Sequence, residues 1–350
     1  MSEPAVLIRS LVSADDERRD AFVATHPRGT TFHTARWRRA IERVFGHAPR
    51  ELGAFDGERL VGVLPLVRTP SILGRSNHVS VPYATYGGPI GEQPSIEAAL
   101  VARAIAVARS EGVGRLELRC ASDPPPNPGL VPSDLYWTFR KTLPMRVEDV
   151  LAGMPKKARA EARKARERHG LRLVEGTWYL DDLYRLFIRN KRLLGSPALP
   201  VGLFEALRDE LGARLLVHLV VRERQPLSAV MSFVHGSTLV AYYSGSAPDV
   251  DRDFSASNFM YMALQEWCVA AGLQTFDFCR SRGDSGAFRF KEHQGFKPEP
   301  LPYRYALIRA KGLPSFTPSN PRTRGLRQAW THMPLIVVEK LAPVLSRYLA

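Results

Sequence analysis

Cysteine is scarce in this chain: Cys120, Cys268 and Cys279 are the only three among 350 residues. An odd number, widely spaced and set among apolar neighbours, argues against a disulfide framework and fits buried thiols in a reducing compartment. Long apolar runs are also missing, since no stretch approaches the roughly 18 uninterrupted apolar residues that would cross a bilayer. The first ten residues lack a basic region followed by an apolar one, so a secretory leader is not expected. These absences point to a cytoplasmic protein. Neither G-x-x-x-x-G-K-[ST] nor G-x-G-x-x-G occurs, and no serine sits in a G-x-S-x-G elbow. The nine histidines never take zinc-ligand spacing, so no metal is expected, and His33, His47 and His78 read as structural groups. Acidic residues are in deficit, 35 against 49 Lys and Arg, and the net charge of +14 draws the chain toward an anion. Nucleic acid, a nucleotide-linked sugar, a phosphate-bearing cofactor and an acidic membrane all qualify.

What is present suits two domains of ordinary size. Ala108–Cys120 reads as a helix end, a glycine stop and a short strand, and Cys268–Arg280 repeats it at an offset of 160 residues, with Gly112 matching Gly272. Leu116 and Leu118 correspond to Phe276 and Phe278, alternating into a core. Upstream of each lies a strand–turn–strand unit, Glu51–Val67 and Leu215–His235. Each half then continues to a strand, a helix and a further strand: Asn77–Tyr86 with Pro94–Gly112, and Leu239–Ser246 with Ala256–Gly272. The pattern predicts an α/β sandwich with a mixed sheet, present twice. Asp123–Gly129 is a proline-rich connector, Lys311–Pro321 is a second breaker-rich segment, and Arg322–Ala350 is an amphipathic tail.

Three stretches could carry chemistry. Lys156–His169 holds seven Lys or Arg against two Glu on a helix whose only apolar residues are alanines. It reads either as a phosphate- or RNA-backbone-binding element, with Lys156, Arg159 and Arg163 in contact, or as a solvated connecting helix. Leu239–Ser246 leads through a polar loop into a helix with Ser255, Ser257 and Asn258 as cap candidates, so the positive helix end lies beside the strand terminus. Phe276–Phe296 crowds Asp277, Arg280, Arg282, Asp284, Lys291, Glu292 and His293 together. Acyl transfer to an amine needs a proton acceptor, oxyanion donors and an acid for the leaving group. Asp277, Lys291, Tyr243 and Ser244 could fill these roles if the strand ends converge, and a surface loop with turn-forming glycines is the plainer alternative.

Phe32–Trp37, Pro82–Pro89, the basic helix, Phe276–Ser281 and Phe290–Phe296, the last similar to a terminal F-K-x-x-x-G-F signature, occur here in an order that resembles FemAB-related proteins of the GNAT superfamily. It resembles in particular the group associated with PEP-CTERM and exosortase systems and the related BioF2-like acetyltransferase domain. Ser319–Pro321, Trp330 and Met333–Leu335 in the tail are also like that group. The resemblance implies tandem duplicated GNAT-like (acyl-CoA N-acyltransferase) domains, α/β, with mixed sheets flanked by helices. The division expected is an N-terminal domain over 1–145, a C-terminal domain over 146–310 with the basic helix at 155–169, and a tail over 311–350. It further implies acyl or aminoacyl transfer to an amine, with acyl-CoA or aminoacyl-tRNA as co-substrate. In that reading Ser255, Ser257 and Asn258 contact the cofactor, while Arg36, Trp37, Tyr83, Tyr86, Arg280 and Ser281 contact substrate. The acceptor would be a small molecule or a polysaccharide or peptidoglycan precursor, in envelope or exopolysaccharide assembly. FemAB members that use tRNA carry a long helical hairpin in the second domain, where this chain has only Met154–Gly170 with the helices Tyr179–Leu194 and Leu203–Leu211. A non-catalytic GNAT scaffold that holds RNA or a nucleotide-sugar is the alternative. The tail could dock on the body, its plain reading, or touch the inner face of the membrane.

Overall fold

A computed structural model describes residues 6–71, 74–313 and 324–348, so Ser319–Pro321 lie outside the described residues. The chain divides into two compact units. One takes the residues up to Tyr136 together with the strand Tyr303–Leu307. The other takes Trp137–Glu299 together with the tail helices Arg324–His332 and Leu335–Ser346. A division at 145/146 and 310/311 therefore differs from the observed one, because each unit recruits a strand that sequence order would assign elsewhere.

In the second unit, Leu171–Glu175, Leu215–Arg222, Gln225–His235 and Thr238–Ser246 pair antiparallel in that order. Thr275–Asp277 then joins parallel to Thr238–Ser246, and Tyr136–Thr142 pairs antiparallel with Thr275–Asp277. The strands are apolar and β-branched, and their buried side chains, among them Val230, Leu239, Phe276 and Phe278, meet Phe259, Met262 and Leu264 of the helix Ala256–Ala270. Gly245 lets the helix Leu180–Leu193 approach closely, since a Cβ there would lie 2.4 Å from Phe187 N.

The first unit repeats the central step. Asn77–Ser80 runs parallel to Arg115–Leu118, and Tyr303–Leu307 closes antiparallel on Arg115–Leu118. A second sheet, Leu7–Ser10, Leu52–Asp56, Arg59–Leu64 and Ile90–Gly91, packs against the helix Pro94–Ser110. The strand expected to run to Tyr86 ends at Ser80. Beyond it Arg119 draws the chain into a buried loop: its Nη1 donates to Val81 O (2.8 Å) and Ala84 O (3.0 Å), while Gly87 and Gly88 amides donate to Arg119 O. Satisfying these carbonyls from a side chain replaces a strand partner.

Candidate active site

The site is built from the place where two parallel strands part. Pairing between Thr238–Ser246 and Thr275–Asp277 ends at Val240 opposite Asp277. On the other edge, Met231 faces Tyr243 and Ser232 faces Ala241, so Tyr242 is an extra residue that bulges the strand just past the last shared pair. The strand therefore turns away from its parallel neighbour, and its backbone edge beyond Val240 no longer pairs with that neighbour.

Side chains alternate along this diverging strand. Tyr243 is buried on one face among Phe187, Phe204 and Phe233. Ser244 and Ser246 point to the opposite face, toward the helix Ala256–Ala270. Tyr261 OH donates to Ser244 Oγ at 3.3 Å, and Ser246 Oγ lies 2.9 Å from Ser228 Oγ and 3.5 Å from Ser257 Oγ. Burial pushes the Tyr261 phenol up to about 12, which keeps it a neutral donor near neutral pH. Tyr243 and Ser244, expected to act together, are thus separated by the strand itself, and Tyr261 stands beside Ser244 instead. Tyr261, Ser228 and Ser246 carried no sequence signal of their own; only a helix and a strand brought face to face make them a cluster.

The helix terminus beside this cluster is occupied by protein. Asp251 accepts from Ser257 N (2.6 Å) and from Ser257 Oγ (2.7 Å), giving the helix a carboxylate cap of the charge its positive end favours. Ser255, expected as a cap, instead has φ +55° and donates to Glu161 Oε2 at 2.5 Å, with no side-chain bond to the helix. Asn258 Oδ1 accepts from Gln294 Nε2 at 2.6 Å. All three residues expected to contact a cofactor are engaged within the protein, and the amide a pyrophosphate would use already holds a carboxylate.

Next to this terminus runs the basic helix Lys156–Glu167. It is held by burial after all: Ala158, Ala162 and Ala165 form a buried stripe against the Ala256–Ala270 helix, and Arg166 pairs with Glu266. Lys156, Lys157, Arg163, Lys164 and Arg168 stand exposed. Arg159 is half-buried and donates to Ala152 O at 3.0 Å, capping the preceding turn.

The turn after Thr275–Asp277 is clamped. Lys291 Nζ donates to Phe278 O (2.5 Å), Cys279 O (3.0 Å) and Arg280 O (3.2 Å), using all three ammonium protons. Burial lowers its pKa to about 8. Asp277 is buried and accepts from Cys279 N at 2.7 Å. These two candidates hold a backbone turn whose central residue, Cys279, sits at φ +55°. Arg280 is half-buried, and Ser281 Oγ is buried without a hydrogen-bond partner.

In the first unit Trp37 is fully buried against Phe32. Tyr83 is buried, stacks on Phe45 and lies 2.9 Å from His47 Nε2, and Tyr86 is buried beside Phe32. These rings are core, and none presents a face to a substrate. Arg36 is half-buried and faces Asp20 at 3.6 Å. Among the described residues no group of His, Cys, Asp and Glu is arranged to hold a metal ion, and the three cysteines are buried and form no disulfide.

Residues 153–292 match the family model described as the acetyltransferase (GNAT) domain. Comparison with curated proteins finds no match. Among solved structures, FemX shares the fold at 14% identity and TM-score 0.64, covering 92% of this chain and 100% of FemX. L-PGS from Bacillus licheniformis aligns at 15% identity and TM-score 0.52 over 95% of this chain and 98% of that one. A tandem GNAT protein from the clavulanic acid biosynthesis pathway aligns at 16% identity and TM-score 0.51 over 89% and 100%. Residues 153–292 thus match a GNAT domain and the chain shares its fold with FemX and a tandem GNAT protein, while the PEP-CTERM association receives nothing from these comparisons.

Proposed function

From a chain that carries a GNAT acetyltransferase domain over residues 153–292 and the fold of FemX, we propose that it transfers an aminoacyl group from a charged tRNA to an amine on an envelope or exopolysaccharide precursor. The reaction takes place where the second unit's strands part. The observation that carries the choice of donor is Asp251, whose carboxylate sits on the Ser257 amide, in the first turn of the Ala256–Ala270 helix. A coenzyme A pyrophosphate at that terminus would meet a like charge in place of a free donor. The exposed cations of Lys156–Glu167 flank the same terminus and suit a polyanionic donor, adding phosphate contact without base readout.

In this reading the acceptor nitrogen attacks the ester carbonyl carbon, the bond to the ribose oxygen breaks, and that oxygen takes a proton. Tyr261, neutral and hydrogen-bonded to Ser244, supplies it, and the proton that the acceptor nitrogen loses on forming the amide returns through water to the Tyr261 phenolate. Asp277 and Lys291 are positioning residues that fix the turn at Cys279. Tyr261→Phe keeps the ring and its packing on Phe278, so binding of charged tRNA should stay unchanged while turnover falls about 100-fold. Full turnover by Tyr261→Phe, followed with labelled aminoacyl-tRNA and a precursor amine, would remove Tyr261 from the mechanism. Retained tRNA binding with no transfer by the unaltered chain to any precursor amine would favour the non-catalytic scaffold.

A further inference from the structure

We propose that the outward face of the tail helix Leu335–Ser346, with the neighbouring turn at Leu193–Leu194, seats the second unit on an anionic lipid surface. The helix is apolar on two sides. Val338, Ala342 and Ser346, spaced four residues apart, are buried on the inward side, where the helix packs on Leu180–Leu193. Ile336 and Val344, eight apart, lie on the other side with Val337, and remain 62%, 57% and 37% exposed. A helix that has already buried one apolar face and still presents a second is incompletely covered by its own protein.

The exposed apolar surface continues beside it. Leu326 is 76% exposed and Leu194 is 55% exposed, and the two segments are tied together by Arg327 Nη2 donating to Leu194 O at 3.1 Å. Arg192 Nη1 donates to Met333 O at 3.1 Å, joining the same turn to the start of the tail helix. Charge selects the occupant. Across 180–194 and 324–346 the sequence holds seven Lys or Arg against Asp181, Asp182 and Glu339, and of these cations Arg185, Arg189 and Lys340 stand exposed. Lys340 sits between Ile336 and Val344 on the exposed face. A second copy would bring these cations against their own kind, whereas a lipid surface offers acyl chains to the apolar residues and anionic headgroups to the cations.

The test is flotation of the full chain with vesicles of phosphatidylcholine containing one third phosphatidylglycerol, beside vesicles of phosphatidylcholine alone. The wild type should float with the anionic vesicles and weakly or not at all with the neutral ones, and added salt should reduce it. Ile336→Asp with Val344→Asp should abolish flotation while leaving the thermal midpoint unchanged, because both side chains lie outside the packed face. Lys340→Glu should weaken flotation without abolishing it. Absence of wild-type flotation, or undiminished flotation of the double variant, overturns the proposal. So does a wild-type dimer in light scattering that the double variant converts to monomer with no change in flotation.

Discussion

Lys291 and Arg119 perform the same task in different chemistry. Each is a buried cation that hydrogen-bonds the carbonyls of a chain segment leaving the sheet where parallel pairing ends, Lys291 at Phe278–Arg280 and Arg119 at Val81 and Ala84. In the sequence, Lys291 reads as a catalytic or anion-holding group because titratable residues crowd around it. Its three bonds to backbone show why residue type and spacing misled: the sequence gives no sign that a polar side chain faces inward. The pH dependence of stability exposes the role. The folded pKa of Lys291, about 8, lies below its ordinary 10.5, so the cost of burying the ammonium is full below pH 8 and is relieved as pH rises through that window. Urea midpoints of the wild type and Lys291→Met should therefore diverge in favour of the wild type between pH 8 and pH 10, by up to about 3 kcal/mol. A difference that stays flat with pH would mean that Lys291 is not buried as an ammonium.

At the scale of elements, the periodicity of the basic helix was legible and its anchorage was not. Alanine at 158, 162 and 165 looks too small to hold a helix, yet small side chains are what allow close packing on Ala256–Ala270. Ala162→Leu should destabilise the chain by about 1–3 kcal/mol through overpacking. Reversal of Lys156, Lys157 and Lys164 to Glu touches only the exposed ridge. It should leave the thermal midpoint unchanged, weaken tRNA binding and flatten its dependence on salt. Unchanged binding in a filter assay would assign the ridge to solvation alone. The strand–turn–strand units and the helices Pro94–Ser110 and Ala256–Ala270 were readable because alternation and glycine stops mark them. The segment Val81–Pro89 was not, since its aromatic residues suggest a strand and only Arg119 converts it to a loop.

For the whole molecule, the duplication was visible in two short repeats, but the closing strands were not, because pairing across more than 130 residues leaves no local pattern. Tyr303–Leu307 completes the first unit's sheet on Arg115–Leu118, with Tyr303 OH donating to Thr85 O. Residues 1–145 expressed alone lack that strand and should give a poorly dispersed amide spectrum, while the same fragment joined by a flexible linker to residues 300–313 should give a dispersed one. A well-dispersed spectrum from 1–145 alone would show the strand to be dispensable. Calorimetric titration of the full chain with acetyl-CoA, deacylated tRNA and bulk aminoacyl-tRNA identifies the donor. Acetyl-CoA should give no saturable heat, and tRNA should bind saturably, most strongly when charged. A saturable acetyl-CoA isotherm, with Asp251 in place, would contradict a tRNA donor.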